Sequence, residues 1–96
     1  QSNFIIKKYK LDLNSRIMTD EKNDLKLTER EIEIILFLNN SKEPQSVDTL
    51  QKEVWGYSEN LDTHTVETHV YRLRKKINEK FHDENFLISL KNGYKI

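Results

Sequence analysis

The sequence predicts an α+β domain in which an N-terminal antiparallel sheet precedes a three-helix bundle and a C-terminal β-hairpin. Three observations carry that expectation. Tyr9, Leu11 and Leu13 alternate with Lys10 and Asp12, the period of a strand with one buried face. Val66, Val70, Leu73 and Ile77 fall within one narrow stripe at about 100° per residue, the mark of a helix packed on a core. Lys91-Asn92-Gly93 separates two short strand-prone runs at the end of the chain.

Residues 4–27 read as strand segments FIIKKYKLDL, RIMTD and DLKLT, parted by the turn-prone Asn14-Ser15 and the polar stretch Asp20 to Asp24. Thr28 followed by Glu31 forms a capping-box pattern: the hydroxyl accepts a backbone N–H and the carboxylate returns to the cap's own N–H. The helix that starts there is apolar almost all round, through Ile32, Ile34, Ile35, Leu36, Phe37 and Leu38, and should be covered on several sides. Asn39-Asn40-Ser41 ends it, and Pro44 prevents its continuation. Ser46 caps a second helix with Val47, Leu50 and Val54 on one face, stopped by Gly56. A loop follows, and a third helix begins at Asp62 or Thr63 and runs to about Lys80. FLISL then reads as one strand of the terminal hairpin and Tyr94 to Ile96 as the other. The expected organisation is a single domain over 1–96, with sheet in 1–27, helices in 28–80 and hairpin in 86–96.

At 96 residues the chain can bury one core, and with 35% apolar and 33% charged residues that core must be compact under a charged surface. No run approaches the roughly 18 apolar residues of a membrane span, and a cytoplasmic location is expected. There is no cysteine, so disulfides, thiolate metal sites and cysteine nucleophiles are excluded. His64, His69 and His82 lack a carboxylate partner at metal spacing, and Gly56 and Gly93 alone cannot build a phosphate cradle. The expectation is a non-enzyme with no cofactor and no metal.

Formal net charge is zero, which by itself speaks against a nucleic-acid binder. The distribution is uneven: residues 1–61 hold nine Lys/Arg against eleven Asp/Glu, and residues 62–96 hold seven against five. From His64 to Lys76 four cations stand against Glu67 alone. His64, Thr68, Tyr71, Arg72 and Lys75 point away from the apolar stripe, with Arg74 and Lys76 on its flanks. Such a face suits phosphates and base edges, since a major groove admits one α-helix with its side chains. The same charges also fit a solvated face, and cations in the C-terminal half of a helix suit its dipole. His69 lies about 60° from the centre of the stripe and reads as a boundary residue.

LTEREIEIILFL, VDTLQKEVWGY and HTVETHVYRLRKKI, followed by a hairpin ending NGYKI, together resemble the OmpR/PhoB-type winged helix-turn-helix effector domain of bacterial two-component response regulators. The resemblance covers nearly the whole chain. It rests on the joint order of Leu-Thr-x-x-Glu, Trp-Gly, Thr-Val-x-x-His-Val-x-x-Leu-Arg-Lys-Lys and a late Gly-Tyr. It implies a four-stranded N-terminal sheet, a third helix lying in the major groove of double-stranded DNA, a wing at the neighbouring minor groove, and tandem dimers on direct-repeat half-sites. Carried over by position, His64, Thr65, Thr68, Tyr71, Arg72, Arg74 and Lys75 on the helix, and Lys91 and Tyr94 in the wing, are DNA-contact candidates. Trp55 matches a tryptophan close to the DNA backbone, although an indole can also simply fill the core. Tyr57, Ser58, Glu59, Asn60 and Leu61 match the loop through which such activators contact RNA polymerase. A receiver domain and a sensor kinase are implied for the full-length protein.

The chain departs from the family pattern in three places. Lys91-Asn92-Gly93-Tyr94 lacks a second wing-tip glycine and is one residue shorter, and His64 and Tyr71 stand where arginines are frequent. The neutral total charge and short wing also fit an alternative reading, a winged-helix module used for protein–protein contact.

Overall fold

The computed structural model describes residues 2–56 and 62–96. Its described elements run β1 (Asn3–Ile6), β2 (Tyr9–Asp12), β3 (Ile17–Thr19), β4 (Asp24–Lys26), α1 (Glu29–Asn39), α2 (Val47–Leu50), a π-helical turn (Gln51–Trp55), α3 (Thr63–Phe81), β5 (Ile88–Leu90) and β6 (Gly93–Lys95). The first four strands form an antiparallel meander in the order β1-β2-β3-β4. Leu11 pairs with Phe4 and with Met18, and Met18 with Leu25, so one face of the sheet is apolar. That face, with Tyr9, Leu27, Ile34, Ile35, Leu38, Leu50, Phe86 and the α3 stripe, makes one continuous core.

The first strand boundary differs from the sequence expectation. FIIKKYKLDL is two strands, because Ile6 pairs with Tyr9 across the two-residue turn Lys7-Lys8. Lys7 adopts φ 55°, a left-handed conformation usually taken by Gly or Asn. Its ammonium donates to the Asn85 and Phe86 carbonyl oxygens at 3.1 and 3.0 Å, tertiary bonds that help hold the turn. The Thr28 capping box forms in full: Glu31 N donates to Thr28 Oγ1 and Thr28 N to Glu31 Oε1. Ser46 caps α2 through the Thr49 amide. The helix widens after one turn, and Gly56 N reaches the Gln51 carbonyl five residues back before φ 95° at Gly56 turns the chain away.

In the hairpin only Ile88–Leu90 of the FLISL run is strand. Phe86 and Leu87 are buried in the core instead, so the segment leaving α3 is pinned inward before the hairpin begins. β5 and β6 pair antiparallel around Lys91-Asn92, and reciprocal 2.9 Å bonds between Gln45 and Tyr94 tie the hairpin to the residues preceding α2. Gly93, expected as a turn residue, lies in β6 at φ +145°, and a Cβ there would stand 2.3 Å from the Gln45 carbonyl oxygen. Close backbone approach therefore requires glycine at this position.

Candidate nucleic-acid interface

α3 is built to present one face. Asp62 caps it by accepting from the Thr65 amide at 2.9 Å and the Thr65 hydroxyl at 3.2 Å, and those bonds hold its carboxyl below the usual range. Val66, Val70, Leu73 and Ile77 are fully buried, and Phe81 closes the stripe at the far end. His82 then terminates the helix in the left-handed conformation, φ 56°. With that stripe fixed, the opposite side chains are forced outward: His64, Tyr71, Arg72 and Lys75 are exposed, Tyr71 at 61%. Thr68 is half-buried and donates its hydroxyl to the His64 carbonyl at 2.9 Å, which orients its methyl and leaves its oxygen able to accept. Thr65 is half-buried within the cap.

The five α3 cations differ in environment. Arg72 and Lys75 line a shallow cleft with Leu25, Lys76, Glu79 and Lys80, which extends positive charge along the helix beyond the stretch the sequence singled out. Arg74 is half-buried, with Nε donating to the Leu87 carbonyl at 3.0 Å at the root of the hairpin. Lys76 pairs with Glu31 Oε1 at 2.8 Å, the oxygen that also completes the α1 capping box, so it joins α3 to the start of α1. An opposite charge 45 residues away is invisible to local pattern, whereas the cleft cation Lys80 could have been found by extending the helical phase one turn.

Trp55 is buried, 8% exposed, with the Arg30 guanidinium 5.0 Å from its ring centre and the His69 ring steeply tilted to it at 5.2 Å between centroids. Arg30 also donates to the Val54 carbonyl at 2.7 Å, fastening the end of the π turn to α1. The core role of Trp55 and the boundary role of His69 follow from this packing. In the hairpin Lys91 is exposed at the turn and Tyr94 half-buried. Burial pushes the Tyr94 phenol up, with the Glu67 charge adding to the effect and Arg74 opposing it. Leu90, which the sequence reading passed over, is exposed beside Lys91. The loop from Tyr57 to Leu61 lies outside the described residues. Among the described residues no helix is long and apolar enough to cross a membrane.

A helix anchored on one side and cationic on the other, followed by a two-stranded wing, defines a winged helix-turn-helix domain of the DNA-binding class. The chain belongs to the OmpR/PhoB-type family of transcriptional regulatory protein C-terminal domains, whose model matches residues 21–96. This is a family of transcription regulators rather than of enzymes. The chain is 39% identical over 72 residues to the transcriptional regulatory protein ResD of Bacillus subtilis, covering 72% of this chain and 29% of that protein. It is 36% identical over 89 residues to the probable transcriptional regulator ycf27 of Galdieria sulphuraria, covering 88% of this chain and 35% of that protein. It thus spans about a third of the length of these curated relatives. The fold matches the DNA-binding domain of E. coli CadC with a TM-score of 0.84 at 23% identity, over 100% of this chain and 92% of that one. The DNA-binding domain of the response regulator AdeR, crystallised in complex with an intercistronic region, matches with a TM-score of 0.76 at 25% identity over 94% of each chain.

Proposed function

We propose that this domain binds duplex DNA as the effector module of a two-component response regulator, with α3 in the major groove and the β5–β6 wing at the adjacent minor groove. The observation that carries the reading is the opposition on α3 between a fully buried aliphatic stripe and exposed Arg72 and Lys75. A guanidinium and an ammonium held clear of the core neutralise phosphates, and neighbouring His64, Thr68 and Tyr71 offer imidazole, methyl, hydroxyl and phenol groups to base edges. Lys91 reaches the backbone from the wing. Arg74 serves twice, its Nε holding the wing root while its remaining N–H groups face phosphate. Trp55 acts from the core, bracing His69 and Arg30 beneath the interface. The Thr65 hydroxyl supports the helix start, and Tyr94 supports the wing.

Two copies side by side on direct-repeat half-sites raise apparent affinity through effective concentration, with a receiver domain and sensor kinase controlling the pairing in the full-length cytoplasmic protein. Tyr57 to Leu61 would meet RNA polymerase. Neither catalysis nor a cofactor enters this mechanism. Titrating the domain with random duplex DNA at several salt concentrations tests the reading. Arg72→Ala and Lys75→Ala should each flatten the slope of log affinity against log salt by about 0.9, the increment for one phosphate contact. An absence of salt-sensitive binding even at low ionic strength would instead favour a protein-interaction module.

A further inference from the structure

Between the end of α3 and the first residue of β5 the chain runs through His82 to Leu87 without helix or strand. Three of its backbone carbonyls are met by side chains from elsewhere. The Asn85 and Phe86 carbonyls accept from Lys7 Nζ, and the Leu87 carbonyl accepts from Arg74 Nε. Asp83 is held at both oxygens, Oδ2 accepting from the Tyr9 hydroxyl at 2.6 Å and Oδ1 from the Asn85 amide at 2.9 Å. The Tyr9 ring packs against Phe81 at 4.8 Å and edge-on against Phe86 at 5.2 Å, and the Lys7 ammonium lies 5.5 Å from the centre of the Phe86 ring. Two residues of the β1–β2 hairpin, 74 to 79 residues away in sequence, therefore hold the segment at Asp83, Asn85 and Phe86.

We propose that Lys7 and Tyr9 are positioning residues for DNA binding, a mount that sets the wing against α3 through the Asp83–Leu87 segment. The inference rests on the wing meeting DNA as proposed above. Neither residue needs to touch the duplex. The wing begins one residue after Leu87, so freeing the Asn85 and Phe86 carbonyls allows the wing root to shift, and a shift of about an ångström can remove a contact that depends on orientation. The β1–β2 hairpin thus gains a functional task beyond closing the core.

The test is a double-mutant cycle on the whole domain, read as affinity for random duplex DNA and as salt slope. Tyr9→Phe keeps the ring and removes only the hydroxyl, without altering charge. Lys7→Met removes the donor to both carbonyls, and Lys7→Arg is the conservative rescue. Lys91→Ala should weaken binding and flatten the slope by about 0.9. Lys7→Met and Tyr9→Phe should each lose about three- to tenfold in affinity, with a similar flattening, in domains that still melt cooperatively. In a Lys91→Ala background neither should have any further effect, and Lys7→Arg, which keeps a donor, should bind like the unaltered domain. Lys91→Ala binding like the unaltered domain would remove the wing reading and the mount with it. A clear Lys91 effect with silent hairpin variants would remove the mount alone. Equal losses with and without Lys91 would mean direct contact or general loosening, and would also overturn the proposal.

Discussion

Gly93→Ala offers a sharp perturbation of the link between fold and interface. An alanine Cβ would lie 2.3 Å from Gln45 O, 2.5 Å from Gln45 C and 2.9 Å from Ser46 N, all backbone atoms that no rotamer change can move aside. Relief requires a separation of roughly one ångström between β6 and residues 45–46, since ordinary contact begins near 3.4 Å. That displacement carries the reciprocal Gln45–Tyr94 bonds, now 2.9 Å each, beyond hydrogen-bonding range. Two backbone bonds at about 0.5–1.5 kcal/mol each, with backbone strain of about 1–3 kcal/mol at φ +145°, give a loss of about 2–6 kcal/mol. A domain of this size has a total stability of about 5–15 kcal/mol, so the effect is large. Urea unfolding should show the lowered midpoint, and amide exchange should show Tyr94 opening sooner than the α3 core. Gly56→Ala is the control: φ is +95° but nothing among the described residues lies within 4 Å, so only the strain part, about 1–3 kcal/mol, remains and no hydrogen bond is lost. An unchanged midpoint and undiminished Tyr94 protection in Gly93→Ala would refute the close-approach argument.

Two further perturbations separate structural charges from contact charges. Lys76→Gln breaks the Glu31 pair and should lower stability by about 0.5–1 kcal/mol while leaving the DNA salt slope unchanged, whereas Arg74→Ala should lower both; a flattened slope in Lys76→Gln would overturn this division. The second is pH. Asp62, through the Thr65 amide and hydroxyl, has a folded-state pKa below its unfolded value. Asp83 shows the same net direction, because burial raises it but the Tyr9 hydroxyl, the Asn85 amide and nearby Lys8 and Lys7 more than offset that. Depressed carboxylates contribute stability that is present above an unfolded pKa of about 3.9 and is lost as pH falls through their lower folded values. Asp62→Asn keeps a capping oxygen, so urea unfolding from pH 7 down to pH 2 should give near-equal stability at neutrality and a shallower acid limb; an acid limb as steep as before would count against the assignment.

Helix α3 was legible in the sequence because one physical demand, burial of every third or fourth residue, dictates both its stripe and the opposite exposed face. Thr28, Ser46 and Asp62 were legible for a related reason: each cap is satisfied within three residues. What escaped were features set by contacts distant in sequence. Lys7-Lys8 carries no glycine, proline or asparagine signal, yet it turns, and its lysine finds two carbonyls 78 and 79 residues away. Gly93 has the sequence signature of a turn residue, but its requirement comes from Gln45 across the domain. Lys76 looks like the other α3 cations until Glu31 claims it.

This sorting of cations bears on how a domain with no net charge can hold DNA at all. With Lys76 engaged by Glu31, the proposed phosphate contacts Arg72, Arg74, Lys75 and Lys91 would at about 0.9 per phosphate give one copy a salt slope near 3.6. Over a fourfold rise in salt, such a slope costs roughly a hundredfold in affinity, and the starting affinity from four phosphates is itself modest. Spreading more cations over the surface would strengthen a single copy but would also strengthen its hold on every sequence equally, because phosphate contacts carry no base information. With exposed cations gathered on one helix face and the wing turn, a second copy on a neighbouring half-site, as proposed, would double the phosphate count only where both half-sites are present. On the proposed contacts, local charge on a neutral body would favour pairing over individual strength, and the geometry between α3 and the wing, rather than total charge, would set binding.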